Sequence, residues 1–137
     1  MTNHSEPTPP AYPLIDQAAQ LQSASGKPLT ELNPAALAAG SLTPADLQID
    51  PATLRAQAEV ARAAGYPQLA TNLLRAAELT AVPNDEILRM YDALRPGRSS
   101  HADLIALADR LEQIYHAPIC ATLVREAAEV YRLRGIR

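Results

Sequence analysis

The sequence predicts an all-α fold: a small, open, up-and-down bundle of about three to four main helices, preceded by an irregular N-terminal subdomain of short helices. Three observations support this prediction. Apolar residues recur at intervals of three and four through the second half of the chain, which is the period of an amphipathic helix. Prolines and glycines stand at the ends of these periodic stretches, where they start and stop helices. No stretch has the strict alternation typical of a half-buried strand.

The first fifty residues are irregular. Residues 1–13 are polar and proline-rich, and are expected to form a disordered tail. Residues 14–50 are expected to form the subdomain of short helices, with a turn but no phosphate loop at Gly26-Lys27-Pro28. Three helix starts recur, each with a capping side chain, a proline at the first helical position and a leucine three residues after the proline. They are Asn33-Pro34, Thr43-Pro44 and Asp50-Pro51.

Residues 51–137 are expected to form the bundle. Its first helix begins at the third start and ends near Gly65, with Leu54, Ala58 and Ala61 on one face. The second carries Leu69, Leu73 and Ala77 at helical spacing and ends before Val82-Pro83.

The next predicted helix has Asn84 as its capping residue and Asp85 and Glu86 in its first turn, where the helix dipole favours negative charge. Ile87, Tyr91 and Leu94 are the predicted apolar stripe, and the helix ends in the basic turn Arg95-Pro96-Gly97-Arg98.

The last two helices are also delimited by local signals. Ser100 and Asp103 have capping-box spacing, and His116-Ala117-Pro118 separates the two helices. The second is expected to run to about Leu133. The predicted inner positions are Leu104, Ala108, Leu111 and Tyr115 on one helix, and Cys120, Leu123 or Val124, Ala127 and Tyr131 on the other.

Composition limits the classes of function. A chain of 137 residues makes one domain overall and leaves no room for a separate catalytic domain. It has no Phe or Trp, and alanine supplies much of its apolar share, so its buried area should be modest. Packing on a larger partner would compensate for this deficit.

Charge and cysteine usage exclude further classes. A net charge of −3 argues against a nucleic-acid partner, and the apolar runs are too short to span a membrane. The N-terminus lacks the pattern of a secretory signal, and a single cysteine fits a reducing, cytoplasmic environment.

No residues form a recognisable catalytic, cofactor or metal motif. His4, His101 and His116 are far apart and make no i, i+4 pair. Cys120 lies within an apolar stripe, as a buried structural thiol does. Two carboxylate pairs are expected to lie on solvated helix faces: Asp103 with Asp109, and Glu126 with Glu129.

The basic turn is the candidate interaction site. Arg95 and Arg98 flank a turn that buries little by itself, and guanidinium groups suit bidentate pairing with carboxylates on a partner. With Pro96 and Tyr91 they form the predicted subunit interface. Two ordinary solvated arginines are the alternative that spacing alone leaves open.

A different function remains open at this point. The segment AEVARAAGYPQLATNLLRAAEL resembles one tetratricopeptide-like helical hairpin, which would make the chain a stand-alone adaptor. The pattern is not renewed one repeat later, and such repeats need several stacked copies.

Longer motifs resemble a known family. The run RAAELTAVPNDEILRMYDALRP, followed by RSS, and the run HADLIALADRLEQIYHAPICATLVREAAEVY closely resemble the small subunit of coenzyme B12-dependent diol and glycerol dehydratases. The resemblance covers about residues 12–134, and the family has arginines at the positions of Arg95 and Arg98. It usually carries an aromatic residue where this chain has Gly97.

The resemblance implies a heteromeric hydro-lyase of large, medium and small subunits, usually a dimer of heterotrimers. Such an enzyme uses adenosylcobalamin to eliminate water from 1,2-propanediol or glycerol, giving the aldehyde. The resemblance places adenosylcobalamin and a metal ion in the other subunits and no catalytic group in this one, which packs on the large subunit. Some members associate with bacterial microcompartments through a longer N-terminal extension; no amphipathic helix precedes Tyr12 here.

Overall fold

The computed structural model describes residues 8–136, which are helical with irregular connections. The α-helices are α1 (Pro34–Ala38), α2 (Pro51–Ala63), α3 (Pro67–Leu79), α4 (Asn84–Ala93), α5 (His101–Gln113) and α6 (Pro118–Leu133). Short 3₁₀ segments occur at Leu14–Gln20, Leu29–Glu31 and Pro44–Leu47. Within residues 8–136 the β pairing amounts to one isolated bridge, between Gln22 and Pro28. The all-α class is confirmed, and five of the helices described have ten residues or more.

The recurring proline starts form helices for the predicted reason. The Asn33 side chain accepts a hydrogen bond from the amide of Ala36 at 2.9 Å, and the Asp50 side chain accepts one from Ala52 at 3.0 Å. At the middle start the Asp46 carboxylate accepts hydrogen bonds from the amide of Thr43 at 2.7 Å and from its hydroxyl at 3.1 Å. The first two starts give only α1 and a 3₁₀ turn, so the expectation of brief helices is confirmed.

Contacts divide the chain into two units, and the boundary falls within α3. The N-terminal unit ends at Leu73 and the C-terminal unit begins at Leu74. The division expected at residue 50 marks where short helices give way to α2. As a domain boundary it stays a prediction.

A buried carboxylate organises the N-terminal unit. Asp46 accepts hydrogen bonds from the Ser25 hydroxyl, from Lys27 Nζ at 3.2 Å and from the Thr43 amide at 2.7 Å. Lys27 Nζ also donates to the carbonyl of Ser41 at 2.8 Å. These bonds join the Gly26 turn to the segment that leads into the 3₁₀ turn Pro44–Leu47. The hydrogen bond from Ser25, ahead of that from Thr43, holds the pKa of Asp46 well below its usual range.

The C-terminal unit has a compact core between α5 and α6. Leu104, Leu111 and Val124 are fully buried there, and each contributes about 1.5–3 kcal/mol by leaving water. Buried alanines line the rest of the contact and let the two helices approach closely. The Tyr131 hydroxyl donates to the carbonyl of Leu94 at 2.6 Å, which fixes the end of α4 to α6.

The predicted start of α4 and one position of its predicted inner face, Tyr91, are wrong. The helix begins at Asn84 itself, because the carbonyl of Pro83 accepts the first helical hydrogen bond, from Ile87 at 3.1 Å. No side chain caps it. Its fully buried residues are Glu86 and Met90, whereas Tyr91 is 58% exposed. Of the predicted stripe, Leu94 packs against the core and Ile87 is partly buried, so the buried face is shifted toward Glu86 and Met90 and leaves Tyr91 outside.

Smaller shifts occur in the neighbouring helices. Ala70 and Ala77 are the buried positions of α3, and Leu69 is half-exposed. On α6 the sequence left Leu123 and Val124 open, and Val124 is the buried one.

Two further inner positions differ in degree from the prediction. Ala128 is fully buried on α6 and the predicted Ala127 only partly. Tyr115 follows the end of α5 and packs, partly buried, against the core.

The predicted disordered tail, residues 1–13, lies partly outside the described residues. Its first seven positions, His4 among them, are not described, and residues 8–13 contain no helix. In the described part of the chain, no helix is both long enough and apolar enough to cross a membrane.

Candidate subunit interface

The Arg95–Arg98 turn is built by the end of α4. The amide of Arg98 donates to the carbonyl of Arg95 at 3.1 Å, which closes the turn. Gly97 has φ +78°, a left-handed conformation that a side chain would strain. Glycine therefore suits this position of the turn.

Both arginines of the turn are exposed and share one carboxylate. Arg95 approaches Asp92 Oδ1 at 3.8 Å and Arg98 approaches the same oxygen at 4.0 Å. These long, solvated contacts are worth little and leave most of each guanidinium free to donate elsewhere. Two positive charges against one negative charge give the turn a local excess of positive charge.

Tyr91 lies one turn before Arg95 on the outer side of α4. It is 58% exposed, and Leu88, three residues earlier, is 69% exposed. Leu88 and Tyr91 are three residues apart on α4 and therefore lie on one helix face, while Arg95 follows the end of the helix at Ala93. The structure therefore places Tyr91 at the surface beside Leu88, and Pro96 is exposed in the turn between the two arginines, which share Asp92.

Leu88 was missed because the predicted stripe put Tyr91 inside. With the stripe rotated to Glu86 and Met90, Leu88 falls outside. The sequence did contain one signal for this interface position, because Leu88 is apolar and belongs to none of the predicted core stripes. We define the outer α4 surface as Leu88, Tyr91, Arg95, Pro96 and Arg98.

Glu86 is buried because two arginines pair with it. Its carboxylate is 3.2 Å from Arg89 Nη1 and 2.8 Å from Arg110 Nη2 of α5. This pairing holds α4 against α5, so the inner face of α4 is occupied within the chain while the outer α4 surface is not.

The thiol of Cys120 has a structural environment. It is 2% exposed in the core and lies 3.6 Å from the carbonyl oxygen of Arg75, to which it donates. Burial, with the neighbouring Glu78 carboxylate adding to it, raises the pKa of Cys120 to about 12. A thiol with such a pKa carries almost no thiolate at neutral pH.

The acidic residues considered as carboxylate pairs belong to helix caps and ion pairs. Asp103 caps α5 through Ser100, and Asp109 pairs with Arg125 at 2.8 Å across α5 and α6. Glu129 pairs with Arg132 on α6, while Glu126 is exposed. Within residues 8–136, no group of three or more His, Cys, Asp or Glu side chains could hold a metal ion.

Comparison with known proteins gives the family. The profile of the family described as "Dehydratase small subunit" matches residues 8–136. The propanediol dehydratase small subunit of Citrobacter freundii is 48% identical over 121 residues, which cover 88% of this chain and 70% of that protein. The protein of the same name from Salmonella typhimurium strain LT2 is 47% identical over the same shares of the two chains. The chain described here belongs to the dehydratase small-subunit family.

Proposed function

We propose that this chain is the small, non-catalytic subunit of a coenzyme B12-dependent diol or glycerol dehydratase and packs on the enzyme's large catalytic subunit. The observation that carries the proposal is the identity of nearly one half, over 88% of the chain, to proteins named propanediol dehydratase small subunit. The comparisons do not favour the tetratricopeptide-like adaptor.

The proposal assigns the chemistry to the other subunits. The reaction removes water from 1,2-propanediol or glycerol and leaves the aldehyde, with adenosylcobalamin supplying the radical. The donor groups described here do not fit a resident metal, since they form no convergent set. In line with the family resemblance, the proposal places the metal ion and the cobalamin in the large and medium subunits of a dimer of heterotrimers, and the complex in the cytoplasm. Co-sedimentation of the complex with microcompartments would test that further location.

The outer α4 surface is the proposed contact with the large subunit. It combines two exposed apolar side chains, Leu88 and Tyr91, with the exposed guanidinium groups of Arg95 and Arg98. Aromatic residues and arginine are enriched in protein interfaces, where the aromatic ring supplies area and the guanidinium supplies directed pairing. The partner surface should therefore present carboxylates beside an apolar depression.

Charge reversal in the turn tests this contact. In the Arg95→Glu/Arg98→Glu variant, repulsion from the partner's carboxylates should reduce co-purification with the larger subunits at least tenfold, which corresponds to about 1.4 kcal/mol. Dehydratase activity in the purified fraction should fall in proportion. The helical circular dichroism of the isolated variant should stay unchanged, because both side chains are exposed.

A matched control separates this effect from net charge. Arg132→Glu/Arg134→Glu makes the same charge change at the exposed end of α6 and should leave co-purification intact. Full recovery of the complex with the turn variant would remove the outer α4 surface from the interface. Failure of the wild-type chain to recover two larger subunits would instead overturn the proposed function.

A further inference from the structure

The N-terminal unit has almost no hydrophobic core of its own. Between residues 8 and 73 the buried apolar residues are Leu14 and three alanines, Ala58, Ala61 and Ala70. Burying an alanine side chain contributes far less than burying a leucine. Ordering each residue of the backbone costs about 1–2 kcal/mol, so this unit has little burial to offset that cost.

Its large apolar side chains lie at the surface instead. Seven of them are between 49% and 76% exposed: Tyr12, Ile15, Leu37, Leu47, Ile49, Tyr66 and Leu69. In the C-terminal unit, by contrast, Leu104, Leu111 and Val124 are fully buried in one cluster. Among its described residues the C-terminal unit also exposes six large apolar side chains, so the two units differ in the apolar surface that they bury and not in what they expose.

Most of the exposed side chains line two grooves beside α2. One groove, of about 450 Å³, is lined by Tyr12, Val60, Tyr66, Leu69 and neighbours. The other, of about 430 Å³, has Leu47 and Ile49 at its wall together with Leu29, Leu32 and Leu54. Gln57 of α2, an exposed polar residue, lines both grooves, so the two grooves adjoin and form one band. We call this band the α2 band.

The charges in the α2 band are few and already engaged. The first groove has no charged residue in its wall, and the second has only Asp46 and Asp50. Asp46 is bonded to Ser25, Lys27 and Thr43, and Asp50 caps α2. The occupant that fits is therefore an apolar, uncharged surface, unlike the carboxylate-bearing surface proposed opposite the α4 turn.

The exposed apolar area of the two grooves approaches that of a subunit contact. Since a fully exposed aromatic or aliphatic residue presents on the order of 200 Å², the five side chains that line the grooves together expose on the order of 600 Å². A stable interface buries about 800 Å² per partner, whereas the largest apolar patch on a typical monomer is about 300–600 Å².

We propose that the N-terminal unit completes its hydrophobic core on the large subunit, whose apolar, uncharged side chains fill the α2 band. This inference rests on the proposed function and extends it, because it makes the order of residues 12–73 depend on assembly. The free chain then holds a stable C-terminal unit and an N-terminal unit that opens readily, as segments with few buried contacts do.

Hydrogen exchange on the full-length chain tests the proposal, free and in the purified dehydratase complex. Amides of α2 should exchange at least tenfold more slowly in the complex than in the free chain. Amides of α5 and α6, which have their own core, should change less than twofold. Slow exchange of α2 already in the free chain, or no added protection in the complex, would overturn the inference while leaving the subunit assignment intact.

A pair of exposed substitutions provides an independent test. Ile49→Asp/Leu69→Asp places a charge in each groove and should weaken binding to the larger subunits at least tenfold. Leu37→Asp is the control, because Leu37 is equally exposed but lines neither groove. It should bind within about twofold of wild type.

Equal binding by all variants would refute the α2 band as the contact. A wild-type homodimer that the paired substitutions dissociate would assign the band to a second copy of this chain. If no larger subunit bound the wild type, the proposed function itself would be wrong.

Discussion

Cys120 shows how one side chain can look chemically available in a sequence and be inert in the fold. The thiol is enclosed between α6 and the backbone of α3, and its pKa is raised to about 12 mainly by burial. The thiolate is the reactive form, and burial excludes both water and reagent from the sulfur. We expect Cys120 to act as a small apolar residue of the core.

Alkylation kinetics check this expectation. At pH 7.5, iodoacetamide should modify Cys120 at least a hundredfold more slowly in the folded chain than in denaturant. Turnover by the assembled complex should be nearly unchanged after Cys120→Ala, since the sulfur is buried and almost entirely protonated at this pH. Rapid labelling of the folded chain, or loss of turnover in a correctly assembled complex, would contradict the structural role.

The burial of Cys120 could be predicted from spacing, but the burial of Glu86 and the exposure of Tyr91 on α4 could not. The stripe of Ile87, Tyr91 and Leu94 satisfies helical periodicity as well as the true face does. Glu86 decides between the two, because Arg89 and Arg110 neutralise it and allow it to turn inward. A prediction that places every carboxylate on the solvent side of α4 puts Tyr91 on the buried face and overlooks Leu88 as an exposed apolar residue.

The cap at the start of α6 is a second feature that the sequence could not predict. Ala117 cannot cap the helix with its side chain. The Glu78 carboxylate of α3 takes that role, accepting hydrogen bonds from the amide of Ile119 at 3.0 Å and from that of Cys120 at 2.8 Å. A negative charge at a helix N-terminus is also favoured by the helix dipole. The local caps at Asn33, Asp50 and Ser100 were readable from neighbouring residues, whereas this one comes from forty residues away.

Removing the distant cap should destabilise the C-terminal unit. We expect Glu78→Ala to lower the free energy of unfolding by about 1–2 kcal/mol, because two amides lose their acceptor. The matched control is Glu126→Ala, which also replaces a helical glutamate by alanine but at an exposed position of α6. It should change stability by less than about 0.5 kcal/mol.

Urea unfolding of the two variants, followed by circular dichroism, measures the difference. Equal stabilities for Glu78→Ala and Glu126→Ala would show that the carboxylate of Glu78 contributes nothing to α6.

The two units of the chain are stabilised differently: one by a hydrophobic core of its own, the other mainly by hydrogen bonds and helix caps. The C-terminal unit is held by the core between α5 and α6, whose periodicity the sequence displays clearly. The N-terminal unit is held by the hydrogen bonds around Asp46 and by helix caps. No pattern predicts the partners of Asp46 beyond Thr43, because Ser25 and Lys27 approach it from a separate turn.

Reliance on ionised carboxylates makes the fold sensitive to acid. The pKa values of Asp46 and Asp103 are held below the ordinary value for aspartate, in each case chiefly by a hydroxyl hydrogen bond, from Ser25 and Ser100 respectively. The pKa of Glu129 is lowered by Arg132. A depressed pKa in the folded state stabilises that state above the unfolded pKa, which is about 4 for these groups. That contribution is lost as the pH falls below about 4 toward the folded values, because protonation then favours the unfolded chain.

We therefore expect the free energy of unfolding to be nearly constant between pH 7 and 5 and to decline steadily below pH 4. Asp46→Asn should lower stability at pH 7, since a neutral amide cannot replace the charge opposite Lys27, and should flatten the decline at low pH. Asp16→Asn, at an exposed position in the same unit, is the control and should follow the wild-type curve. Urea unfolding at pH 7, 5, 4 and 3, with hydrogen exchange to assign the loss to the N-terminal unit, measures both curves. If Asp46→Asn kept the full wild-type dependence on pH, the carboxylate of Asp46 would not be the group through which acid opens that unit.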